Sequence, residues 1–454
     1  MKIKNICCIG AGYVGGPSMA VIALKCPHLQ VNVVDINQKR INDWNHEDLN
    51  ELPIYEPGLD QIISKCRGKN LHFSTDIEGK IAKADMIFIS VNTPTKIDGH
   101  GAGQAIDLKW VDASARKISE FAVGETIVVE KSTLPVKTAQ TIKEILESSR
   151  INQKPKKVFH VLSNPEFLAE GTAINDLINP DRVLIGGSNQ EAIKALTDIY
   201  SFWLDNSKII TTNLWSAELS KLIANAFLAQ RVSSINSVTA ICEATESSIK
   251  DVSLAIGKDK RIGEYFLNPG PGFGGSCFKK DILNLVYICN HYGLYEVSEY
   301  WQQIIKINDW QKRRITKLIT NKLYGTLSGK SIGIFGFSFK ANTNDTRESP
   351  AISISLELLK EGAFLRIYDP KVNSSQIENE LNKSNWEYCE DIYDASTGTD
   401  AIVILTEAEE FRNINWLRVS QKMRAPSWIF DTKGLSNTQE AKEFNINIWT
   451  VGEC

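Results

Sequence analysis

The chain has 454 residues, more than one hydrophobic core usually supports, so two or three domains are expected. Its 43% hydrophobic and 23% charged residues are typical of a globular protein, and a formal net charge of -3 provides no basic field for nucleic acid. The sequence has no run of 18 apolar residues and no secretory signal pattern at its start, MKIKNICCIGAG, so neither a membrane span nor export is expected.

The first half of the chain alternates short apolar strands with helical segments. Strands are predicted at 6–9, 31–35, 86–91, 126–130, 158–163 and 183–185, with a helix starting near Val14. Such alternation indicates a mostly parallel sheet that is covered by helices on both faces. Residues 1–211 are therefore predicted to form one α/β domain.

A helical region follows. Residues 214–246 place apolar side chains at helical spacing without a glycine or proline, which predicts one long helix that bridges domains or subunits. Further helices are predicted at 281–291, ending before Gly293, and at about 296–323. These segments make up a predicted central domain at 212–325.

Strands return at 332–335, 364–368, 401–405 and 428–430, which predicts a second, smaller α/β domain at 326–454. Its opening turn, Gly336-Phe337-Ser338-Phe339, lacks the three-glycine spacing found near the start of the chain. We expect this domain to bind something other than a dinucleotide, or to bind a dinucleotide differently.

Three glycines near the start of the chain carry the first functional signal. Gly10, Gly12 and Gly15 follow an apolar strand and open a helix, where a tight turn and free N–H groups suit a pyrophosphate. Asp35 ends the second strand about twenty residues further on, as expected for an acid that binds a ribose hydroxyl and disfavours the extra phosphate of NADP. NAD is the predicted cofactor, and the alternative is a turn that serves helix packing alone.

The nine cysteines are an odd number without C-x-x-C spacing, so reduced thiols and a cytoplasmic protein are expected. Residues 269–277 form a glycine-rich loop that delivers Cys277 to a helix predicted from Phe278, where the helix dipole, Lys279 and Lys280 favour a thiolate. The alternative is that the loop serves packing. The six histidines are dispersed and none stands at ligand spacing, so no metal site is expected.

Two further groups of polar residues are candidates. Lys221 and Asn225 stand four apart on the long predicted helix and share one face, although a helical lysine is usually a solvated charge. Glu166 and Glu170 follow a predicted strand, in a position suited to a ligand crevice. Asn-Pro turn chemistry with a helix-capping acid is the alternative interpretation of that loop.

Read together, six motifs in chain order resemble the UDP-glucose 6-dehydrogenases, especially those of animals and plants. The resemblance spans nearly the whole chain and implies two Rossmann-like doubly wound domains joined by a long central helix and a helical dimerisation region. The motifs are Gly10-Ala11-Gly12-Tyr13-Val14-Gly15, Val91-Asn92-Thr93-Pro94-Thr95, Glu130-Lys131-Ser132-Thr133, Asn164-Pro165-Glu166-Phe167-Leu168-Ala169-Glu170-Gly171, Gly272-Phe273-Gly274-Gly275-Ser276-Cys277 and Asp345-Thr346-Arg347-Glu348-Ser349.

The resemblance implies a four-electron oxidation of UDP-glucose to UDP-glucuronate that uses two NAD in turn. Cys277 matches the cysteine that attacks the intermediate aldehyde, and the oxidised adduct is a thioester that water releases. Glu166 matches the base that acts on this water, and Lys221 and Asn225 match the groups that stabilise the oxyanion. Asp281 and Thr133 match organisers of water and proton transfer. The logic is chemical, since a hydride leaves an aldehyde carbon only after a nucleophile has added to it.

The resemblance also implies binding residues and an assembly. Arg261 would reach the sugar nucleotide of a neighbouring subunit, so a homo-oligomer, either a dimer or a hexamer, is expected. The implied cofactor contacts are Gly10, Ala11, Gly12, Tyr13, Val14, Gly15, Asp35, Arg40, Thr93, Ser132, Thr133, Glu170, Cys277, Lys280 and Arg347. The implied substrate contacts are Glu166, Phe167, Leu168, Ala169, Glu170, Lys221, Asn225, Arg261, Phe266, Phe273, Gly274, Phe339, Lys340 and Lys433.

Two departures from the animal-type pattern concern phosphate contacts. Asn268-Pro269 replaces a loop lysine, and Asp431-Thr432-Lys433 replaces Asp-Gly-Arg. A lysine meets a phosphate as a point charge and lacks the bidentate grip of arginine. The hypothesis is weaker binding of the UDP-sugar with an intact chemical step.

Two alternative functions remain open. One is a dehydrogenase for GDP-mannose or a UDP-N-acetyl-hexosamine, although the run Ala169-Glu170-Gly171-Thr172 fits the UDP-glucose type better. The other is a non-catalytic nucleotide-sugar sensor, which is disfavoured by the joint presence of Glu166, Lys221, Asn225, Cys277 and Asp281. The NADH formed per sugar would discriminate between these functions.

Overall fold

The computed structural model describes residues 1–148 and 157–453, so Cys454 lies outside the described residues. The chain divides into two compact units, Met1–Ala224 (unit 1) and Asn225–Cys454 (unit 2). Within the described ranges, no helix combines the length and the apolar character needed to cross a membrane.

Unit 1 is built on one sheet with the strand order β3-β2-β1-β4-β5-β6-β7-β8. Neighbouring strands are parallel except β6 and β7, which are antiparallel. The six strands predicted for this region are confirmed, and β3 and β8 are additional. The strands are β1 (Asn5–Ile9), β2 (Gln30–Val34), β3 (Leu71–Ser74), β4 (Met86–Ile89), β5 (Glu125–Glu130), β6 (Val158–Ser163), β7 (Val183–Gly187) and β8 (Ile209–Thr212).

Helices cover both faces of this sheet, as the near-continuous apolar strands predict. Along β1, Ile6 and Cys8 belong to one hydrophobic core cluster, while Cys7 and Ile9 belong to another. The helices of unit 1 before its last are α1 (Gly15–Lys25), α2 (Gln38–Asn45), α3 (Leu59–Cys66), α4 (Ile77–Ile81), α5 (Lys109–Phe121), α6 (Thr138–Ser148), α7 (Ala173–Ile178) and α8 (Gln190–Tyr200).

The long predicted helix is confirmed as α9 (Leu214–Thr245). The boundary between the units falls within it, so residues 214–224 belong to unit 1 and residues 225–245 to unit 2. In unit 2 it is followed by α10 (Ile249–Gly257), α11 (Phe278–His291) and α12 (Tyr295–Lys322). The start predicted at Phe278, directly after the glycine-rich loop, is confirmed, and the apolar pattern at 281–291 covers the rest of α11.

A second sheet in unit 2 has the order β11-β10-β9-β12-β13-β14, and all its paired strands are parallel. The prediction of two Rossmann-like doubly wound sheets with a long central helix is confirmed. The strands are β9 (Ser331–Phe335), β10 (Phe364–Tyr368), β11 (Trp386–Tyr388), β12 (Ala401–Ile404), β13 (Ser427–Asp431) and β14 (Ile446–Thr450). The helices are α13 (Pro350–Lys360), α14 (Ser374–Leu381), α15 (Ile392–Ala395), α16 (Trp416–Ser420) and α17 (Thr438–Glu443).

Candidate active site

The turn between β1 and α1 shows why each of its three glycines is needed. Gly10 has a φ of 107°, and a Cβ there would lie 2.1 Å from the carbonyl oxygen of Ser90. A Cβ at Gly15 would lie 2.1 Å from the carbonyl oxygen of Gly10, whereas a Cβ at Gly12 would meet nothing within 4 Å. The first and third glycines are thus required by packing, while the second leaves open space for a ligand against the backbone.

Asp35 lies directly after β2 and fastens this turn. Its carboxylate accepts hydrogen bonds from the backbone N–H groups of Ala11 and Asn37, both at 2.9 Å, and pairs with Arg40 at 3.3 Å. At the start of α1, Val14 provides no side-chain cap. The N-terminus of α1 is therefore presented as an anion site beside a carboxylate, which fits the pyrophosphate and ribose of a dinucleotide.

The loops that follow β4 and β5 are tied to each other. Thr93 donates to the carbonyl oxygen of Thr133 at 3.2 Å, and Ser132 donates to the carbonyl oxygen of Val91 at 2.9 Å. These loops leave the carboxyl ends of β4, which neighbours β1 in the sheet, and of β5, the next strand. The predicted cofactor residues of unit 1 therefore gather at the edge where doubly wound folds bind ligands.

The loop after β6 is anchored by buried polar contacts. Asn164 accepts from Lys131 Nζ at 3.1 Å and from Tyr200 Oη at 2.6 Å, and donates to the carbonyl oxygen of Leu184 at 2.9 Å. At the end of this loop, the backbone N–H of Gly171 donates a hydrogen bond to the Glu56 carboxylate at 2.7 Å. Neither Lys131 nor Glu56 was singled out in the sequence, because their partners are distant in the chain. These contacts hold the segment that contains Phe167, Leu168, Ala169 and Glu170.

Within unit 1, Glu166 and Lys221 form a buried ion pair. Their side-chain atoms are 3.1 Å apart, and the two side chains are 8% and 5% exposed. Lys221 Nζ also lies 5.5 Å from the ring centroid of Phe167. The interpretation of Lys221 as a solvated helical charge is therefore wrong. Glu166 pairs with a cation, and the cap of α7 is Thr172, so the helix-capping interpretation is wrong for Glu166 as well.

Cys277 differs from the other described cysteines. It occupies the N-cap position of α11 and is half-buried, while the seven others in residues 1–148 and 157–453 are buried. Burial raises the pKa of the Cys7 thiol to about 12 and that of Cys26 to about 11, so these thiols stay protonated at neutral pH. Among these eight cysteines, Cys277 alone combines partial exposure with a helix N-terminus.

The glycine-rich loop before Cys277 is held closely within unit 2. Phe273 donates its N–H to Asn308 Oδ1 at 2.8 Å, and Asn308 Nδ2 donates back to the Phe273 carbonyl oxygen at 3.1 Å. A Cβ at Gly274 would lie 2.7 Å from the carbonyl oxygen of Glu348 and 2.9 Å from Phe339 Cβ. The glycines thus serve packing, and this packing fixes the backbone that leads to Cys277.

Asp281 lies one turn after Cys277 on α11 and is fully buried. Asn225 Nδ2 donates to Asp281 Oδ2 at 2.6 Å, and the Lys280 ammonium lies 3.9 Å from the other oxygen. Two of the predicted catalytic side chains, Asn225 and Asp281, are therefore in direct contact within unit 2. On α9, Asn225 stands one helical turn after Lys221, as the sequence spacing predicts.

The remaining predicted substrate residues of unit 2 lie in different surroundings. Lys340 Nζ is 5.6 Å from the Phe339 ring centroid, and Arg347 is held by Asp345 at 2.6 Å. Arg261 lies on the surface with its side chain 89% exposed. Phe266 is 41% exposed, with a positive φ of 61°.

Lys433 is held by an acidic partner that the sequence did not indicate. Its ammonium lies 2.6 Å from Glu407, and a Cβ on Gly270 would lie 3.5 Å from the same nitrogen. Burial works to raise the pKa of the Glu407 carboxyl, but the Lys433 ammonium and backbone hydrogen bonds outweigh burial and lower it. The positive charge of Lys433 is thus partly neutralised before any phosphate is bound.

No group of three or more His, Cys, Asp or Glu side chains in the described ranges is arranged to hold a metal ion.

A glycine turn with space beside an uncapped helix N-terminus binds dinucleotides, and a half-exposed thiol at a helix start suits covalent redox chemistry. Together they define a dinucleotide-dependent dehydrogenase. The chain belongs to the UDP-glucose/GDP-mannose dehydrogenase family. The model of the NAD-binding domain of this family matches residues 4–204, the central domain residues 215–310 and the UDP-binding domain residues 333–438.

Curated relatives agree with the family. UDP-glucose 6-dehydrogenase 3 of Arabidopsis thaliana is 52% identical, covering 99% of this chain and 97% of the relative. UDP-glucose 6-dehydrogenase 5 of Oryza sativa subsp. japonica is 50% identical with the same coverage. Among solved structures, a UDP-glucose dehydrogenase from Pyrobaculum islandicum is 28% identical, covers 100% of this chain and 98% of that chain, and has a TM-score of 0.88. The protein is an NAD-dependent dehydrogenase.

Proposed function

We propose that this protein oxidises the primary alcohol of UDP-glucose to the carboxylate of UDP-glucuronate through a thioester on Cys277. The observation that carries the proposal is the half-buried Cys277 at the start of α11, in a chain 52% identical to a UDP-glucose 6-dehydrogenase. The overall reaction consumes one alcohol, two NAD⁺ and one water, and produces one carboxylate, two NADH and three protons.

The turn of residues 10–15 fits NAD because Gly12 leaves space at the N-terminus of α1, and Asp35 lies beside it. NAD, when bound there, accepts one hydride in each of the two oxidations. Arg40, Thr93, Ser132 and Thr133 would complete the cofactor contacts from unit 1. We also propose that Glu170, Cys277, Lys280 and Arg347 contact the cofactor, as the family resemblance implies.

The thiolate of Cys277 acts after the first oxidation. It adds to the aldehyde carbon and forms a carbon–sulfur bond, and the carbonyl electron pair becomes an alkoxide. Lys221 and Asn225 would stabilise this oxyanion, because their ammonium and amide N–H groups are hydrogen-bond donors that the fold holds in place. Loss of the second hydride from this adduct leaves the thioester.

Glu166 would act in the hydrolysis. Its carboxylate accepts a proton from the water that adds to the thioester carbonyl, and collapse of the adduct breaks the carbon–sulfur bond and releases the Cys277 thiolate. Its buried position, 3.1 Å from Lys221, supports this role since both groups are held in fixed orientations. Asp281 orients Asn225 at 2.6 Å, and Thr133 would position the water.

The UDP-sugar would be held by the 166–170 loop in unit 1 and, in unit 2, by the glycine-rich loop, Phe339, Lys340 and Lys433. The match of residues 333–438 to the UDP-binding domain supports this assignment. Residues 212–325 are retained as a proposed central domain between the domains at 1–211 and 326–454. The odd number of cysteines, without C-x-x-C spacing, supports a reducing compartment, and we propose the cytoplasm.

The function is tested by measuring NADH formation with UDP-glucose, GDP-mannose and UDP-N-acetylmannosamine in parallel, counting NADH per sugar consumed. Two NADH per UDP-glucose, with kcat/KM at least about tenfold above the other sugars, is the expected result. A preference for either other sugar would reassign the substrate. One NADH per sugar would indicate a simple alcohol dehydrogenase, and none with any sugar would indicate a sensor.

Substitution of Lys433 by arginine is expected to lower the KM for UDP-glucose roughly threefold to tenfold while kcat stays unchanged. The guanidinium has enough donors to keep Glu407 and still meet a phosphate, whereas the ammonium is engaged at 2.6 Å. Steady-state kinetics check this, with Lys442→Arg on the exposed side of α17 as the control. An unchanged KM would show that Lys433 does not limit binding.

We further propose that the protein works as a homo-oligomer in which Arg261 completes the site of a neighbouring subunit. Unit 2 exposes many large apolar side chains. Exposed apolar surface of this kind often marks a protein–protein interface. The exposed side chains include Phe227, Ile241, Leu254, Tyr265, Tyr292, Leu294, Tyr295 and Tyr300, each 49–86% exposed. The Arg261 side chain is 89% exposed, and its guanidinium pairs with Asp259 at 2.6 Å.

Mixing two inactive variants tests this arrangement directly. In a mixed dimer of Arg261→Ala and Cys277→Ser, one site receives an intact Arg261 from its neighbour and retains its own Cys277. After dissociation and reassociation, activity is expected to rise well above the sum of the separate variants. Activity equal to that sum would place Arg261 in its own subunit's site, and a sedimentation mass of one 50.7 kDa chain would contradict the oligomer.

A further inference from the structure

Two buried carboxyl groups meet behind the proposed site in unit 1. Glu130, the last residue of β5, is 2% exposed, and Glu218, on α9 three residues before Lys221, is 3% exposed. The two side chains lie close enough to interact, and among the described residues Glu130 Oε2 is a buried atom with no other hydrogen-bond partner. Two carboxylates cannot share a hydrogen bond without a proton between them, so the pair holds at least one proton in this arrangement.

Glu218 also fastens the segment that follows the proposed catalytic loop. Its Oε2 accepts from the N–H of Lys137 and its Oε1 from the N–H of Ala139, both at 2.7 Å. Lys137 has a φ of 76°, a left-handed backbone conformation that is strained for a residue other than glycine. The two hydrogen bonds hold the start of α6 in this strained conformation.

Glu130 and Glu218 together hold both ends of the segment that contains Thr133, and we call this arrangement the clamp. Glu130 precedes Lys131, Ser132 and Thr133, while Lys137 and Ala139 follow them, and both ends of this segment are bonded to Glu218. Glu218 itself lies one turn before Lys221 on α9. The carboxyl pair therefore links the loop of Thr133 to the helix that carries Lys221.

The charged groups near the pair have partners of their own. Lys131, next to Glu130, donates to Asn164 at 3.1 and 3.2 Å, and Lys221 on α9 pairs with Glu166 at 3.1 Å. The side chain of Lys137 is exposed. Cys8, on β1, is buried in an uncharged thiol form because burial raises its pKa.

Burial and the proximity of Glu218 both raise the pKa of Glu130 well above its usual range. Burial raises the pKa of Glu218 too, although the N–H groups of Ala139 and Lys137 oppose this shift. These raised pKa values favour retention of the shared proton. The arrangement is complete below the raised pKa and is lost as the pH rises through it.

We propose that Glu130 and Glu218 are positioning residues that share one proton. This proton keeps the loop that contains Thr133 in a fixed position relative to Lys221. Removal of the proton at alkaline pH leaves two buried carboxylates that repel each other, which releases the 131–139 segment and lowers kcat. The effect on kcat rests on the proposed function, whereas the clamp itself does not.

The decisive variant is Glu130→Gln, because its amide donates a hydrogen bond to Glu218 that no rise in pH can remove. We expect kcat near pH 7 within about threefold of the wild type, since the hydrogen bond is kept. The alkaline fall in kcat should move upward or disappear, while the KM for UDP-glucose stays unchanged. The control is Glu125→Gln, at the exposed beginning of β5, which should keep the wild-type pH profile.

Glu218→Gln should behave differently, because its amide nitrogen would face one of the two backbone N–H groups. A fall in kcat of roughly tenfold or more at every pH is expected, with little change in KM. A wild-type alkaline profile in Glu130→Gln would overturn the proposal. A merely structural role would lower stability in both variants without altering the shape of the pH profile.

Hydrogen exchange provides a readout that needs neither substrate nor a variant. In the wild type, the amides of Lys137 and Ala139 are expected to lose protection through a titration step at alkaline pH, relative to amides in β5. Constant relative protection across the pH range would overturn the proposal even if the protein is fully active. Conversely, a titration step in a protein that forms no NADH from UDP-glucose would leave the clamp standing and refute the proposed function.

Discussion

Replacing Cys277 with serine is expected to lower kcat for NADH formation from UDP-glucose by about 1,000-fold or more. A serine hydroxyl is far less acidic than a thiol, so it stays protonated at neutral pH and is a much weaker nucleophile. The first oxidation can still produce an aldehyde, so at most one NADH per bound sugar should form. Stopped-flow absorbance of NADH under single-turnover conditions measures both the rate and the yield.

The control for this variant is Cys66→Ala, which alters a buried thiol at the end of α3 and should leave the NADH yield at two per sugar. Thermal unfolding of the two variants separates loss of chemistry from loss of fold. Normal turnover of Cys277→Ser, with two NADH per sugar, would show that another group carries the intermediate.

Glu166→Gln is expected to leave both oxidations in place and to slow hydrolysis of the thioester by about 100-fold to 1,000-fold. An amide of similar size cannot accept the proton of the attacking water. The predicted kinetics are a burst of two NADH for each active site, followed by slow turnover. Rapid-quench or stopped-flow measurements of the burst amplitude check this prediction.

Glu166 also pairs with Lys221, so part of the effect could arise from an unpaired buried ammonium, an arrangement that typically costs about 3–5 kcal/mol. A burst amplitude of two distinguishes the two causes, because misplacement of Lys221 would slow formation of the adduct as well. Glu191→Gln, on the exposed first turn of α8, serves as the control. Steady turnover at the wild-type rate, with no slow phase after the first two NADH, would assign the base to a different group.

The parts of the fold that sequence patterns predicted are those with strong periodicity. The central strands of both sheets are continuous apolar runs because both of their faces are buried, and α9 has 32 residues without a glycine or proline. The four strands that were missed are β3, β8, β11 and β14, and each lies at the edge of its sheet. Each of them is partly exposed, and β11 has only 3 residues, so sequences such as Trp386–Tyr388 carry no clear apolar pattern.

The candidate site also contains features that depend on residues close in sequence and features that depend on contacts between residues far apart in sequence. The glycine turn and the position of Cys277 at a helix start depend on neighbours within a few residues, so the sequence indicated both. The pairing of Lys433 with Glu407, of Lys221 with Glu166 and of Asn225 with Asp281 depends on folding. No local spacing encodes contacts between residues that lie 26 to 56 positions apart in one chain.

The proposed mechanism depends on a covalent bond between the substrate carbon and Cys277 Sγ. The most direct measurement is peptide mass spectrometry of Glu166→Gln after acid quench during turnover of UDP-glucose. The account predicts the mass of a UDP-glucuronyl group on the peptide that contains Cys277, and its loss after treatment with hydroxylamine. Turnover with that peptide unmodified, or with the acyl group on another residue, would contradict it.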